Sequence, residues 1–450
     1  MTPMQTHKSS PALLPSRRDF LKSTSTAAAA GALASAVSFP TILRAQNAGD
    51  KLKLGWIGCG GRGTGAANQA LKADSNVELW AVGEVFRDKI DSGLESLSAQ
   101  FKDNPEKINV SEERKFVGLD AYQRVIDSGV DVVILTTSPG FRPLHIKAAV
   151  DAGKHVFAEK PMAVDGPGLR SVMESVKKAK EKKLAMVDGF VWRWTYANRD
   201  AYKRIHDGAI GDINAIYASY YTGSVDRYPK WNRTNTKTDL EWMLRRWYYF
   251  TWLSGDHVVE QAVHSVDKIL WAMKDEPPAS CICTGGRQVK SGEEYGHIYD
   301  HFCAEYRWES GTRGYLFTRQ FDKCANENSD AVFGSKGVYR GESGSKRHII
   351  TGENRWRWQA TEGVAAQNGY QTEHDEMYAS IRAGNPINTG DSFCKSTLAA
   401  IMARMAAYTG KEITWEQALN SQEDTFPKDL KWDSKIPVPP VALPGITQFT

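Results

Sequence analysis

An amine and an imidazole, each close to a carboxylate, are the groups best equipped to move a proton in this 450-residue chain. Lys160 closes the run His155-Val156-Phe157-Ala158-Glu159-Lys160-Pro161, a short apolar strand followed by an acid, an amine and a proline. Such a strand end puts the ammonium at the carboxyl edge of a sheet, where open α/β sheets bind ligands. Proline stops the ladder there and favours a tight turn. The second segment is Ser254-Gly255-Asp256-His257-Val258-Val259-Glu260-Gln261-Ala262-Val263-His264-Ser265-Val266-Asp267. Glu260 and His264 are four apart, so on one helix they share a face. The spacing predicts a carboxylate that orients a histidine and raises its basicity, the histidine exchanging a proton with a substrate hydroxyl. Asp267 falls on the same side, and Asp256 and His257 stand at the helix start. His257, Glu260 and His264 are also metal-ligand types, but His-x-x-Glu-x-x-x-His is not the His-Glu-x-x-His of zinc proteases, and no metal is expected. A lone Glu-Lys-Pro or helical Glu-His pair is more often structural, so the surroundings decide.

The elements that must position Lys160 read as alternating short strands and helices. An apolar run over residues 52–57 leads into Gly58-Cys59-Gly60-Gly61-Arg62-Gly63 and then a helical stretch. Strand, glycine turn and helix form the context that gives Gly-x-Gly-x-x-Gly its meaning as a dinucleotide fingerprint. Gly58 permits the tight turn, Gly60 a close approach to a pyrophosphate, and Gly63 tight helix–strand packing, with Gly61 and Arg62 at the helix start. A second strand over 77–82 ends at Gly83-Glu84, and Glu84 is spaced to bind the adenosine ribose. Its charge would repel a 2′-phosphate and favours NAD, while Arg87 leaves NADP open. A further short strand or loop is suggested at 108–110, and a buried strand over 130–135 runs into Thr137-Ser138-Pro139. With Glu159, Lys160 and Pro161 these complete the expected cofactor-binding set. His145, in the helix opening after Arg142-Pro143, reads as a packing or capping residue. A further strand is expected at 184–187. The alternation is the signature of a doubly wound parallel sheet.

Beyond Asp188-Gly189-Phe190 the pattern changes to hairpin-connected strands, with a helix over 258–273 and two more over 372–383 and 393–409. This predicts a second α+β domain built on a large open, mainly antiparallel sheet. Such a sheet has an apolar face to cover, which suits a dimer or tetramer. Trp192, Trp194, Trp231, Trp242, Trp247 and Trp252 fall within one stretch, interleaved with Arg193, Arg233, Arg245 and Arg246. Flat rings suit sugar faces and guanidinium groups suit hydroxyls or carboxylates. Arg193, Trp194, Arg246, Trp247, Asp256 and His257 are therefore the expected substrate contacts.

Residues 1–45 carry Arg17-Arg18-Asp19-Phe20-Leu21-Lys22 ahead of an Ala/Ser/Leu stretch too short for a membrane span, which reads as a twin-arginine export signal and a periplasmic destination. That segment holds the whole formal net charge of +4. The remainder is neutral, which argues against nucleic-acid or membrane partners. The expected organisation is a signal over 1–45, a Rossmann domain over 50–187 and a substrate-binding and oligomerisation domain over 188–450. Six cysteines are too few and too irregularly spaced to pair by inspection.

The glycine fingerprint, Glu159-Lys160-Pro161, Gly189-Phe190, Gly211-Asp212-Ile213, His264-x-x-Asp267 and Ile381-Arg382-Ala383-Gly384, in that order, resemble the glucose–fructose oxidoreductase/inositol dehydrogenase (Gfo/Idh/MocA) family. The resemblance implies a catalytic lysine at Lys160 and a catalytic histidine at His264, with Glu260 where the family carries aspartate. Ser254-Gly255-Asp256 stands where the family has three glycines. It implies hydride transfer between nicotinamide and a sugar or polyol. Two rival readings stay open: a glycoside hydrolase that oxidises and re-reduces its sugar on bound NAD, and a non-catalytic sugar-binding protein that holds NAD structurally.

Overall fold

The computed structural model describes residues 49–225, 231–342, 347–360 and 368–450. The expected export signal over 1–45 lies outside them. Six strands form the first sheet: β1 (Leu52–Ile57), β2 (Val77–Glu84), β3 (Lys115–Val117), β4 (Val132–Leu135), β5 (His155–Ala158) and β6 (Met186–Asp188). Their order is β3-β2-β1-β4-β5-β6, and every pairing is parallel. The Val-Val-Ile-Leu of β4 is buried throughout, as a strand covered on both faces requires. Connections reverse direction between β1 and β4, and the carboxyl ends of these two strands open the crevice where such sheets bind ligands. Of the two readings of 108–110, the loop holds. Ile108 makes one isolated bridge to Leu79, and β3 takes the edge instead.

The second sheet has nine strands: β7 (Ile213–Thr222), β8 (Ser280–Gly286), β9 (His301–Arg307), β10 (Arg313–Gln320), β11 (Ser329–Gly334), β12 (Gly337–Glu342), β13 (His348–Gly352), β14 (Trp356–Arg357) and β15 (Ile413–Thr414). The order is β14-β13-β12-β11-β7-β10-β9-β8-β15. All pairings are antiparallel except that of β7 with β10. Burial alternates along β10, so one face enters the core and the other does not. The buried face, with Ile216, Leu316 and Ala304, joins a core that includes Val266, Ile269 and Ala400 from the helices Val263–Ala272 and Gly390–Thr409. The fold is thus a Rossmann N-terminal domain followed by a mixed, mostly antiparallel C-terminal domain.

One expected helix is broken. Instead of running through 258–273, the chain forms His257–Glu260, turns at Gln261 and Ala262, and restarts as Val263–Ala272. The His264 amide donates to the Gln261 carbonyl at 3.3 Å, so it does not reach back to Glu260 as a continuous helix would require.

The helix Gly369–Arg382 packs on the fingerprint helix Gly61–Ala73 and buries His374 completely against Phe157, at 4.2 Å between ring centroids. Neither ring nitrogen of His374 has a hydrogen-bond partner. Burial, with the Arg62 charge nearby, pushes its pKa down to about 3. The unfolded chain therefore binds a proton below about pH 6.5 that the folded state refuses, and stability falls as pH drops from there toward about 3. His374→Leu is expected to gain stability over the parent by up to about 1.4 kcal/mol per pH unit below about pH 6.5. Urea unfolding at stepped pH measures this; parallel pH slopes for the two proteins would refute it.

Candidate active site

The glycine turn behaves as its spacing demands. Gly58 has φ +95°, and a Cβ on it would meet the Thr137 nitrogen at 2.5 Å, so the turn after β1 lies against the loop after β4. A Cβ on Gly63 would come within 2.1 Å of the Gly58 carbonyl, which fixes how closely the helix Gly61–Ala73 meets the turn. Gly60 and Gly61 are different: a Cβ on either meets nothing within 4 Å. The helix N-terminus therefore opens onto free space, with no side chain capping it. First-turn amides facing such a space are a ready site for a diphosphate, and the residues fit a dinucleotide.

Two adjoining cavities extend from this turn. The smaller, about 130 Å³, is lined by Glu84, Val85, Phe86, His145 and Trp231 among others. The larger, about 400 Å³, takes in Gly61–Gly63, Pro139, Glu159, Lys160, Arg246, Glu260 and His264. Gly60, Thr136, Thr137, Ser138, Arg245 and Trp247 line both. Glu84 sits at the end of β2, its carboxylate accepting from the Cys59 and Val85 amides at 2.8 and 2.6 Å. Burial raises its pKa against those amides, which lower it. Of the expected cofactor residues, Gly58 and Pro161 lie behind the wall and shape it, and the others line one or both cavities.

Lys160 follows β5, and its peptide bond to Pro161 is cis. Its ammonium crosses to the second domain, pairing with the Glu260 carboxylate at 3.0 Å and donating to the Glu260 backbone carbonyl. The other Glu260 oxygen accepts from Gln261 Nε2 at 2.7 Å, and Gln261 Oε1 accepts from the Tyr220 hydroxyl at 2.7 Å. His264 lines the same cavity, buried between Trp192 at 4.9 Å and Phe190 at 6.0 Å between ring centroids. Burial, then the charges of Lys160 and Lys268, hold its pKa well below the ordinary histidine value. The imidazole is neutral at physiological pH.

The expected Glu260–His264 pairing is not made. The break at Gln261 and Ala262 turns the two side chains to different partners, and the charges around His264 lower its basicity rather than raise it. Four expected substrate contacts are likewise absent from the cavity walls. Arg193 is held by Asp267 and Asp275. Trp194 is buried in the core beneath the Arg199 guanidinium. Asp256 is fully buried, accepting from the Tyr299 amide at 2.8 Å and from the Tyr408 hydroxyl at 2.5 Å. His257, also fully buried, faces the Tyr299 carbonyl with Nδ1 at 3.3 Å. Arg246 and Trp247 do line the cleft.

Sequence reasoning missed Arg142, Tyr220 and Gln261. Arg142 is buried and donates to the carbonyls of Thr137 and Pro161, tying together the two loops that carry the expected cofactor contacts. Burial brings its pKa down to about 10. Gln261 stood inside the quoted segment; its position between an acid and a histidine was the available signal. His145 lines the smaller cavity, stacked on Tyr122 and kept neutral by burial, with a pKa of about 3.

A Rossmann domain whose ligand crevice is closed by an α+β domain, with an ion pair across the cleft, defines a dinucleotide-binding class. The model of the Gfo/Idh/MocA oxidoreductase family, NAD-binding Rossmann fold, matches residues 52–189, and that of the family's C-terminal domain matches residues 198–340. The chain belongs to this family. Inositol 2-dehydrogenase 3 of Saccharopolyspora erythraea is 22% identical over 262 residues, 58% of this chain and 64% of that enzyme. Myo-inositol 2-dehydrogenase of Thermotoga maritima is 23% identical over 288 residues, 64% of this chain and 74% of that enzyme. The matched stretch covers 47% of the inositol 2-dehydrogenase of Salmonella typhimurium. Among solved structures, levoglucosan dehydrogenase in complex with NADH and levoglucosan superposes with a TM-score of 0.64 at 15% identity, over 81% of this chain and 99% of that one. The aldose–aldose oxidoreductase of Caulobacter crescentus gives 0.63 at 18% identity, over the same shares. At these identities the structures speak for the fold.

The two kinds of glycine should separate on substitution. Gly60→Val is expected to weaken NAD binding at least about tenfold with little change in melting temperature, because its side chain fills the open space. Gly63→Ala is expected to cost about 1–3 kcal/mol of stability, because its Cβ meets backbone. Calorimetric NAD titration and thermal melts read the two effects; NAD binding untouched in the Gly60 variant would remove the diphosphate from this turn.

Proposed function

We propose that the protein is an NAD-dependent oxidoreductase acting on a hydroxyl of a sugar or cyclic polyol. The observation that carries this reading is that Lys160, from the Rossmann sheet edge, and His264, from the second domain, line one cavity continuous with the glycine turn. When bound, NAD supplies the hydride acceptor. The neutral His264 imidazole takes the proton from the reacting hydroxyl, since burial keeps it unprotonated and able to accept. Lys160 donates a hydrogen bond to the same oxygen and stabilises the negative charge that develops there. Glu260 positions the Lys160 ammonium, and Gln261 and Tyr220 hold Glu260. Arg246, Trp247 and Tyr248 supply the polar and flat surfaces of the substrate end. The names of the relatives, inositol and levoglucosan dehydrogenases, support a polyhydroxylated ring as substrate. Glu84 at the ribose end favours NAD over NADP by charge.

Lys160→Ala and His264→Ala are each expected to lower kcat by about 10²- to 10⁴-fold while NAD affinity stays within about threefold. Glu260→Gln, which keeps size but removes the charge, should lower kcat by about 10-fold or more. A panel of inositols and anhydrosugars followed at the nicotinamide absorbance band measures all three. Full turnover in either alanine variant would remove the assignment, and aglycone release from a glycoside without net cofactor reduction would replace it with the hydrolase.

Export through the twin-arginine route belongs to the same proposal, since that machinery carries folded, cofactor-loaded protein. Assembly into a dimer or tetramer through the open sheet face is part of it too. Replacing Arg17 and Arg18 with lysine should leave the protein in the cytoplasm, as fractionation would show; unchanged periplasmic delivery would sink the route.

A further inference from the structure

The neck shared by the two cavities is formed by Gly60, Thr136, Thr137, Ser138, Arg245 and Trp247. Arg245 is the one cation among these six, and it comes from the second domain, as the last residue of the helix Asp239–Arg245. Its guanidinium lies over the Phe86 ring at 3.6 Å and the Trp231 ring at 4.3 Å, which fixes its plane. Both terminal nitrogens bond Asp88, at 2.8 and 2.9 Å. Only 10% of the Arg245 side chain is exposed, against 56% for Asp88. The Nε–H donor is buried and has no hydrogen-bond acceptor; the nearest carboxylate, Glu241, stands at 3.8 Å. A buried guanidinium with an unused donor is short of an acceptor, which is costly unless a ligand supplies one.

We infer that Arg245 is a dinucleotide ligand, placing a cation against the diphosphate from the wall opposite the glycine turn. The inference rests on the NAD reading of the cleft. A dinucleotide that fills both cavities must pass the neck with its diphosphate beside Gly60. The helix amides of the first domain meet it there with partial charges, and Arg245 adds a full one. Asp88, paired with the guanidinium and held below its ordinary pKa by the Arg245 hydrogen bonds, keeps that charge neutralised and in place. Because Asp88 belongs to the Rossmann domain and Arg245 to the second, the same side chain joins the domains and reads the cofactor.

Calorimetric titration of NAD, ADP-ribose and adenosine into the full protein separates diphosphate contact from packing. Arg245→Gln is expected to weaken NAD and ADP-ribose by on the order of 10- to 100-fold, as loss of a charge-assisted hydrogen bond would, and adenosine by less than about threefold. Equal losses for adenosine and ADP-ribose, or no loss for either, would overturn the assignment. Asp88→Asn, at an exposed position, frees the guanidinium of its competitor and should tighten ADP-ribose by about threefold or more while leaving adenosine unchanged. No tightening would count against the inference even if the glutamine variant failed to fold. Parent protein that bound neither NAD nor ADP-ribose would instead bring down the NAD reading itself.

Discussion

The contact between Lys160 and Glu260 sets the geometry on which the cleft depends. The two residues come from different domains, a hundred positions apart, and each side chain is only 10% exposed. At about 3 Å and an effective dielectric near 20, their attraction is roughly 5 kcal/mol. The desolvation of two ions is also several kcal/mol each, so the pair adds little net stability. What it contributes is position, because a lone charge at this depth would be expensive and the two domains must meet where the pair can form. Gln261 and Tyr220 extend the same constraint to β7, so the edge of the first sheet and the centre of the second are tied by one chain of polar contacts.

The helix break explains how that contact arises. In an unbroken helix the Glu260 carbonyl would accept from the His264 amide. Here that amide bonds Gln261, and the Glu260 carbonyl is left at a helix end, needing a donor. The Lys160 ammonium fills that need while it pairs with the carboxylate of the same residue. One side chain therefore satisfies both a backbone acceptor and a charge. Restarting at Val263 also turns His264 away from Glu260 and toward the aromatic wall of Trp192 and Phe190.

The same break marks where reading the sequence stops working. Strands β1, β2, β4 and β5 were legible because buried parallel strands are continuous apolar runs, and the glycine turn because each glycine answers a separate steric demand. The identity of the cleft-facing polar residues was only partly so. Asp256 and His257 have the right chemistry and stand beside Glu260, yet a positive φ of 77° at Asp256 turns the chain so that both enter the core. Arg193 was expected to meet substrate and instead meets Asp267 and Asp275, partners 74 and 82 positions away that no local pattern announces. Half of the tryptophan cluster follows the same rule. Trp194, Trp242 and Trp252 are buried, while Trp231 and Trp247 line the cavities and Trp192 flanks His264. Residue type indicates what a side chain can do; tertiary packing decides where it is spent.

His264 shows that decision in its electrostatics. Glu260 is already committed to Lys160, and the field at the ring is set by burial and by two ammonium groups. Each of these opposes protonation. A histidine in that setting accepts a proton only when negative charge develops on a neighbour in the same step, as when a hydroxyl ionises beside it. In the proposed reaction Lys160 plays two opposed parts from one position: it disfavours a charged ring, and it would stabilise an oxygen that is losing its proton. An ion pair that looks like a structural tie thus also keeps the imidazole in its neutral, accepting form.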